Sequence, residues 1–248
     1  MNTVAAIIQS RMRSTRTPGK ALRPLAGIPT TEHIIKRLQQ VTEFDRIVLA
    51  VPDSPSEEPL VRLAQDTGID LVQGPEDDVL QRFILAGDRT GADHILRVCG
   101  DNPLIDLNLA QSLIRRHLET NADYTHPKGM IPEGTATELV KLSVLKGIAE
   151  TTSLNVYREH VITYIHAHRE SFKIEKVPAP EYLLNRNYRL TLDTEQDFLL
   201  MEKIYDHFYS TLHPILDLAQ ILPFLDTHPE YARLNADVIQ KNWRNKIP

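Results

Sequence analysis

One cysteine, Cys99, stands in 248 residues. That excludes an intrachain disulfide and a cysteine-cluster zinc site. Long apolar runs are missing too, and none approaches the roughly 20 residues that span a bilayer. The first apolar stretch, Val4 to Ile8, is too short for a signal-peptide core and has no basic segment before it. The expectation is a cytoplasmic protein with no membrane partner. Positive charge is not in excess: 28 Lys and Arg against 33 Asp and Glu give a formal charge of −5, which disfavours a nucleic-acid partner. Linkers, low-complexity tracts and internal repeats are absent, so one domain is expected over 1–240, with 241–248 as a frayed tail. A P-loop is absent as well. Gly19-Lys20 is followed by Ala21 instead of Ser or Thr, and position 14 is Ser instead of Gly.

What is present is an alternation of strand and helix signals. Val4 to Ile8 reads as a strand buried on both faces. Thr30-Thr31 is expected to cap a helix carrying Ile34, Ile35, Leu38 and Val41. A strand follows over 46–51, then a helix over 57–67 closed by Gly68. A short strand over 70–73 leads to a helix capped by Asp77 or Asp78 and carrying Leu80, Phe83, Ile84 and Ala86. A fourth strand covers 95–98. This order predicts an α/β fold with a mainly parallel, Rossmann-like sheet flanked by helices. The second half reads as helix 107–120, strand 122–125, loop 128–137, helices 143–151 and 156–168, strands 172–177 and 188–191, and helices 194–209 and 216–225.

Ligands of such sheets bind beyond the carboxyl ends of the strands. Two unusual segments lie there. Residues 9–23 hold five basic side chains and no acid: Arg11, Arg13, Arg16, Lys20 and Arg23. They suit a polyphosphate, and they equally suit a solvated surface loop. Cys99-Gly100-Asp101-Asn102-Pro103 puts a carboxylate just past a buried strand, fit for a hard cation or for capping a turn. Asp193 also stands between a strand and a helix, free to ligate a metal while Thr194 and Asp197 form a capping pair. Arg158, Glu159 and His160 gather near a helix start, where they fit an anion or a solvated face. Cys99 reads as a small buried residue without an activating partner.

Ile7-Ile8-Gln9-Ser10-Arg11 through Arg16-Thr17-Pro18-Gly19-Lys20, Arg97 through Ile105, Gly74 through Phe83, Arg158 through Val161, and Leu192 through Asp197 together resemble a known family. It is the cytidylyltransferases that make CMP-activated sugar acids, with a glycosyltransferase-A-like, nucleotidyltransferase-like fold. The pattern is most similar to the spore coat polysaccharide biosynthesis protein F branch. Gln9-Ser10 replaces the Pro-Ala usual in the sugar-acid synthetases, and Ala136 stands where an Asp is usual before Glu138.

The resemblance implies CMP transfer from CTP to a small sugar, sugar acid or sugar-like acceptor, with pyrophosphate release and Mg²⁺, in surface polysaccharide biosynthesis. It implies catalytic Arg11, Lys20, Asp101 and Asp193, with Asp101 and Asp193 holding the metal. Gln9, Ser10, Arg11, Arg16, Lys20, Gly74, Asp77, Asp78 and Gly100 would bind the nucleotide. Glu138, Arg158 and His160 would face the acceptor. The family's dimerisation through its second half implies a homodimer. A glycosyltransferase fed by a nucleotide-sugar and a non-catalytic nucleotide-binding protein are the competing readings.

Overall fold

The computed structural model describes residues 2–14 and 16–239. The tail expected over 241–248 lies outside the described residues, as does Thr15 of the basic loop. The chain opens with β1 (Val4–Gln9), a two-strand hairpin of β2 (Pro24–Leu25) and β3 (Ile28–Pro29), and α1 (Thr30–Leu38). Then come β4 (Arg46–Pro52), α2 (Glu58–Thr67), β5 (Asp70–Gly74), α3 (Val79–Thr90), β6 (His94–Cys99) and α4 (Leu107–Thr120). The second half holds β7 (Tyr124–Lys128), β8 (Glu138–Lys141), α5 (Leu142–Thr151), α6 (Asn155–Glu159), α7 (Thr163–Ala167) and β9 (Ile174–Pro178). It ends with α8 (Glu195–Phe208), α9 (Leu218–Thr227) and α10 (Pro229–Ala232).

Seven strands form one sheet in the order β5-β4-β1-β6-β8-β7-β9. β1, β4, β5 and β6 run parallel, β8 is antiparallel to both β6 and β7, and β7 pairs with β9 in parallel. Successive side chains of a strand point to opposite faces. On β1, Val4, Ala6 and Ile8 therefore join one apolar cluster, and Ala5 and Ile7 the other. Helices cover both faces, as a sheet of continuous apolar strands requires. The strand order reverses at β1: β4 lies on one side and β6 on the other. The crevice at that reversal is where an open α/β sheet receives its ligand.

Several expectations are corrected. Thr30 and Thr31 do not cap α1; Pro29 occupies the cap, and the two hydroxyls donate to the carbonyls of Arg23 and Ala21. They tie the helix to the end of the basic loop. Of Asp77 and Asp78, it is Asp78 that caps α3, accepting from the Gln81 N–H at 2.8 Å. The helix expected over 156–168 is broken into α6 and α7 by a turn at His160 to Ile162. Segment 188–191 is not a strand, and it makes a single bridge from Arg189 to Glu133. β8, between the Gly-rich loop and α5, had no counterpart among the expected elements.

Candidate active site

Strand β1 delivers Gln9 and Ser10 to the crevice, and β6 delivers Cys99, Gly100 and Asp101. The Gly100 N–H donates to the Gln9 carbonyl at 2.8 Å. A Cβ on Gly100 would lie 2.7 Å from that oxygen and 2.8 Å from the Ser10 Cβ, so only glycine lets the two strand ends close. The basic loop leaves β1 and is pinned at Met12, whose N–H donates to the buried Glu57 carboxylate at 2.8 Å. Gly19, at φ +73°, turns the loop back so that its N–H reaches the Met12 carbonyl.

The turn sets Lys20 between two carboxylates. Its Nζ donates to Asp101 Oδ2 at 2.9 Å, to Asp193 Oδ1 at 3.0 Å and to the Leu192 carbonyl at 2.9 Å. Burial alone would lower the Lys20 pKa; the two carboxylates outweigh it, and the net shift is upward. Asp193 also takes Arg16 Nη2 at 2.9 Å on Oδ1 and Arg189 Nη2 at 2.9 Å on Oδ2. Burial pushes its carboxyl up, but Lys20, Arg16 and Arg189 hold it below the ordinary value.

Asp193 is held in place from behind. Arg189 donates through Nε to Asp197 and through Nη1 to Glu133, at 2.8 and 2.9 Å. Thr194 caps α8 and Asp197 completes the capping box: its Oδ2 accepts from the N–H groups of Asp193 and Thr194, and its own N–H donates to the Thr194 hydroxyl. Asn235 closes the network against the Arg189 carbonyl and Asp197 Oδ1, both at 2.9 Å. The capping pair read from the sequence is present; Arg189, whose partners lie up to 56 residues away, is the residue that reading missed. Its only local sign was a cation four residues before Asp193.

Arg16, Lys20, Asp101, Glu133 and Asp193 line a cleft of about 630 Å³, the size of a small-molecule site. Of the residues singled out in the sequence, Gln9, Ser10, Arg11, Arg16, Lys20, Asp77, Gly100, Asp101, His160 and Asp193 line it. Four expected residues do not. Gly74 packs under Arg82, where a Cβ would meet the Arg82 Cγ at 3.0 Å. Asp78 spends one oxygen on the α3 cap and the other on Arg158 at 3.1 Å. Arg158 is spent on Asp78 and on the carbonyls of Thr152 and Ala149, and it lines a separate depression of about 410 Å³ beside the cleft. Glu138 accepts from Arg97 Nη1 at 3.0 Å and from the Tyr124 hydroxyl at 2.7 Å, behind the wall.

Residues not foreseen as site residues also line the cleft: Arg13, Glu76, Arg82, Arg97, Glu133, Asn155 and Glu159 among them. Arg82 is buried and donates to the Pro75 and Glu76 carbonyls, which shapes the loop carrying Asp77. Burial lowers its pKa, with the Arg11 charge acting in the same direction. The Cys99 thiol is pushed up to about 11 by burial, so it is no ready nucleophile at neutral pH. Six basic and six acidic side chains line the cleft, so a triphosphate entering it meets little net positive charge.

Known proteins are similar to this chain in sequence and in fold. A family profile described as cytidylyltransferase matches residues 5–223. The spore coat polysaccharide biosynthesis protein SpsF of Bacillus subtilis is 31% identical over 94% of this chain and 98% of its own. A cytidylyltransferase structure from Leptospira borgpetersenii superposes with a TM-score of 0.88 at 23% identity, covering 97% of this chain and all of its own. A CMP:2-keto-3-deoxy-manno-octonic acid synthetase complexed with CTP shares the fold at a TM-score of 0.61 and 16% identity, over 83% of this chain and 98% of its own. The profile runs from the first buried strand into α9, and nearly the whole chain thus belongs to the cytidylyltransferase family, making the protein a nucleotidyltransferase.

Proposed function

We propose that the protein transfers CMP from CTP to a hydroxyl of a sugar, sugar acid or sugar-like acceptor in surface polysaccharide biosynthesis. The observation that carries this reading is Lys20, bridging Asp101 and Asp193 at the strand reversal with Arg16 beside it. An acceptor oxygen attacks the α-phosphorus, the new oxygen–phosphorus bond forms, and the bond to the β-phosphate oxygen breaks as pyrophosphate leaves. No protein nucleophile is needed; positioning and charge neutralisation carry the step. Arg11, Arg16 and Lys20 would take the β- and γ-phosphates, where negative charge grows as the bond breaks. His160, which also lines the cleft, is the candidate acceptor for the hydroxyl proton.

The donor set fits Mg²⁺. Asp101 and Asp193 are hard oxygen ligands held around one ammonium, and Mg²⁺ takes one or two carboxylates with phosphate and water oxygens. The balanced charge of the lining gives a second reason for a cation to accompany the nucleotide. When bound, the metal would neutralise phosphate charge beside the attacking and leaving oxygens. The names of relatives support CTP and a sugar acid: a synthetase of the same fold carries CTP, and a homologue serves a spore coat polysaccharide. In this reading the enzyme works in the cytoplasm as a homodimer, without a nucleic-acid partner. Among the described residues no helix is long and apolar enough to cross a membrane.

Of the acceptor residues expected from the sequence, His160 would touch the acceptor, while Glu138 would act through Arg97 and Arg158 through Asp78. The test is a panel of nucleoside triphosphates with sugars, sugar acids and sugar phosphates, with and without Mg²⁺, followed by pyrophosphate release. Metal-dependent release with CTP and one acceptor class is expected. Consumption of a nucleotide-sugar without pyrophosphate would replace this reading with glycosyl transfer.

A further inference from the structure

Arg97 is a charged residue inside an apolar strand. It lies on β6, between β1 and β8 in the centre of the sheet. Burying a guanidinium there is costly unless it is paired or used. Glu138, directly across on β8, pairs with it at 3.0 Å, and the Tyr124 hydroxyl fixes the other carboxylate oxygen at 2.7 Å. The Arg97 pKa stays raised because Cys99, Glu138 and Tyr124 outweigh the burial that would lower it.

The pair is satisfied on the glutamate side and unfinished on the arginine side. Guanidinium carries five donors in a fixed fork. Among the described residues only Nη1 makes a protein hydrogen bond, to Glu138, and Nε is buried without a partner there. The side chain keeps 19% of its surface exposed, and it lines the cleft. One strand away, Gln9 pairs in register with Cys99, two residues beyond Arg97, so Gln9 and Arg97 share a face. The Gln9 Oε1 is likewise buried without a partner among the described residues. Donors of Arg97 that Glu138 does not use and the Gln9 acceptor thus stand in one wall. Polar groups left unmatched in this way need a partner, and in a cleft wall a ligand oxyanion or hydroxyl can supply it.

Arg97 is set back from the phosphate-facing cations. Lys20 and Asp101 lie beyond the strand ends, whereas Arg97 is two residues inside β6, and Asn155, Glu159 and His160 of the α6 region complete the lining. Arg158, the cation the sequence offered for this task, is already spent on Asp78 and backbone carbonyls.

We infer that Arg97, braced by Glu138 and Tyr124, reads an oxyanion of the acceptor, and that the acceptor carries a hydroxyl close to that oxyanion, within reach of Gln9. The oxyanion is a carboxylate or a phosphate, both of which match the guanidinium fork. This inference rests on the nucleotidyl-transfer reading and adds the residue that selects the acceptor.

The test is calorimetry on wild type, Arg97→Lys, Arg97→Met and the double variant R97M/E138Q. Removing both charges in the double variant avoids leaving Glu138 unpaired. Each protein is titrated with CTP. The CTP-loaded protein is then titrated with 2-keto-3-deoxy-manno-octonate, its methyl ester, N-acetylneuraminate, glucose 1-phosphate and glucose. The expected result is that an anionic probe binds wild type and the ester and glucose do not. Its affinity falls roughly 10- to 150-fold in Arg97→Met and in the double variant, the range of a charge-assisted contact, while CTP affinity stays within about threefold. A carboxylate or a phosphate as the tighter probe identifies the oxyanion. The inference is overturned if no anionic probe binds loaded wild type, if neutral probes bind as well, or if the Arg97 variants keep the preference. Failure of wild type to bind CTP would instead strike the nucleotidyl-transfer reading.

Discussion

Lys20 Nζ and Asp101 Oδ2 meet at 2.9 Å across 81 residues of chain. The contact spans the crevice from the basic loop to the end of β6, so the ammonium occupies the space between carboxylates that a phosphate-bound cation would share. In the proposed reading, Lys20 would exchange carboxylates for phosphate oxygens when a nucleotide enters.

Replacing that ammonium separates triphosphate from monophosphate binding. Lys20→Met and Arg16→Ala remove charges assigned to the β- and γ-phosphates, which CMP lacks. Each is expected to weaken CTP by about 1.5–3 kcal/mol and CMP far less. Calorimetric titration of both nucleotides reads the difference, and equal losses would give the loop another role.

Asp101→Asn keeps the shape of the side chain and removes its charge. Asp193 still holds Lys20, so thermal melting and circular dichroism are expected to stay near wild type. Turnover is expected to fall by about 100-fold or more, the scale of losing one electrostatic partner of the transition state. Mg²⁺-dependent turnover near that of wild type would remove Asp101 from the site.

The Arg189 network is a stability element as well as a support. Arg189→Met leaves the buried Asp193 and Asp197, together with Glu133, without their shared cation. Breaking a buried pair on one side costs about 3–5 kcal/mol. Urea unfolding should show a lower midpoint that corresponds, through the slope m, to a stability loss of that size, and CTP binding should weaken with it because Asp193 loses its orientation.

Acid should weaken the fold through a buried histidine pair. His94 Nδ1 lies 3.0 Å from His117 Nε2, and His117 Nδ1 lies 2.7 Å from the Thr125 hydroxyl. Burial, with His94 and Lys141 nearby, lowers the His117 pKa to about 3. In the unfolded chain a histidine titrates near 6.5. Below that pH the unfolded state binds more protons, so stability is lost as pH falls from about 6.5 towards 3, by up to about 1.4 kcal/mol per unit. Urea midpoints between pH 7 and 4.5 should follow this slope in wild type and flatten in His117→Gln. Parallel slopes would assign the acid sensitivity to other groups.

The first half of the fold was legible because parallel strands buried on both faces leave continuous apolar runs, such as Val4 to Ile8 and Ile47 to Val51. Gly68 and Asp78 marked helix ends by local chemistry that tertiary context does not change. The second half was harder. β8 is four residues long and gains its place only by pairing with β6 and β7. Residues 188–191 look extended, yet a single bridge at Arg189 is all that meets them. Within the site, Lys20, Asp101 and Asp193 were readable as strand-end charges. The occupation of Arg158 by Asp78 was not, because that pair spans 80 residues. Arg97 did leave a trace, as the one cation in the run Ile95 to Val98, but its meaning needed the strand across from it.

The cleft draws its parts from distant stretches of chain, and this ties ligand binding to the completion of folding. The Lys20 contacts reach 81 and 173 residues along the sequence. A growing chain that has emerged as far as β9 carries every strand of the sheet and still lacks Asp193. In the proposed reading, full nucleotide affinity is expected only once the segment carrying Asp193 docks, and a ligand that binds only the finished protein stabilises the whole of it by mass action. A rise in melting temperature with CTP would in this way report the closure of the full chain, not the formation of the sheet alone.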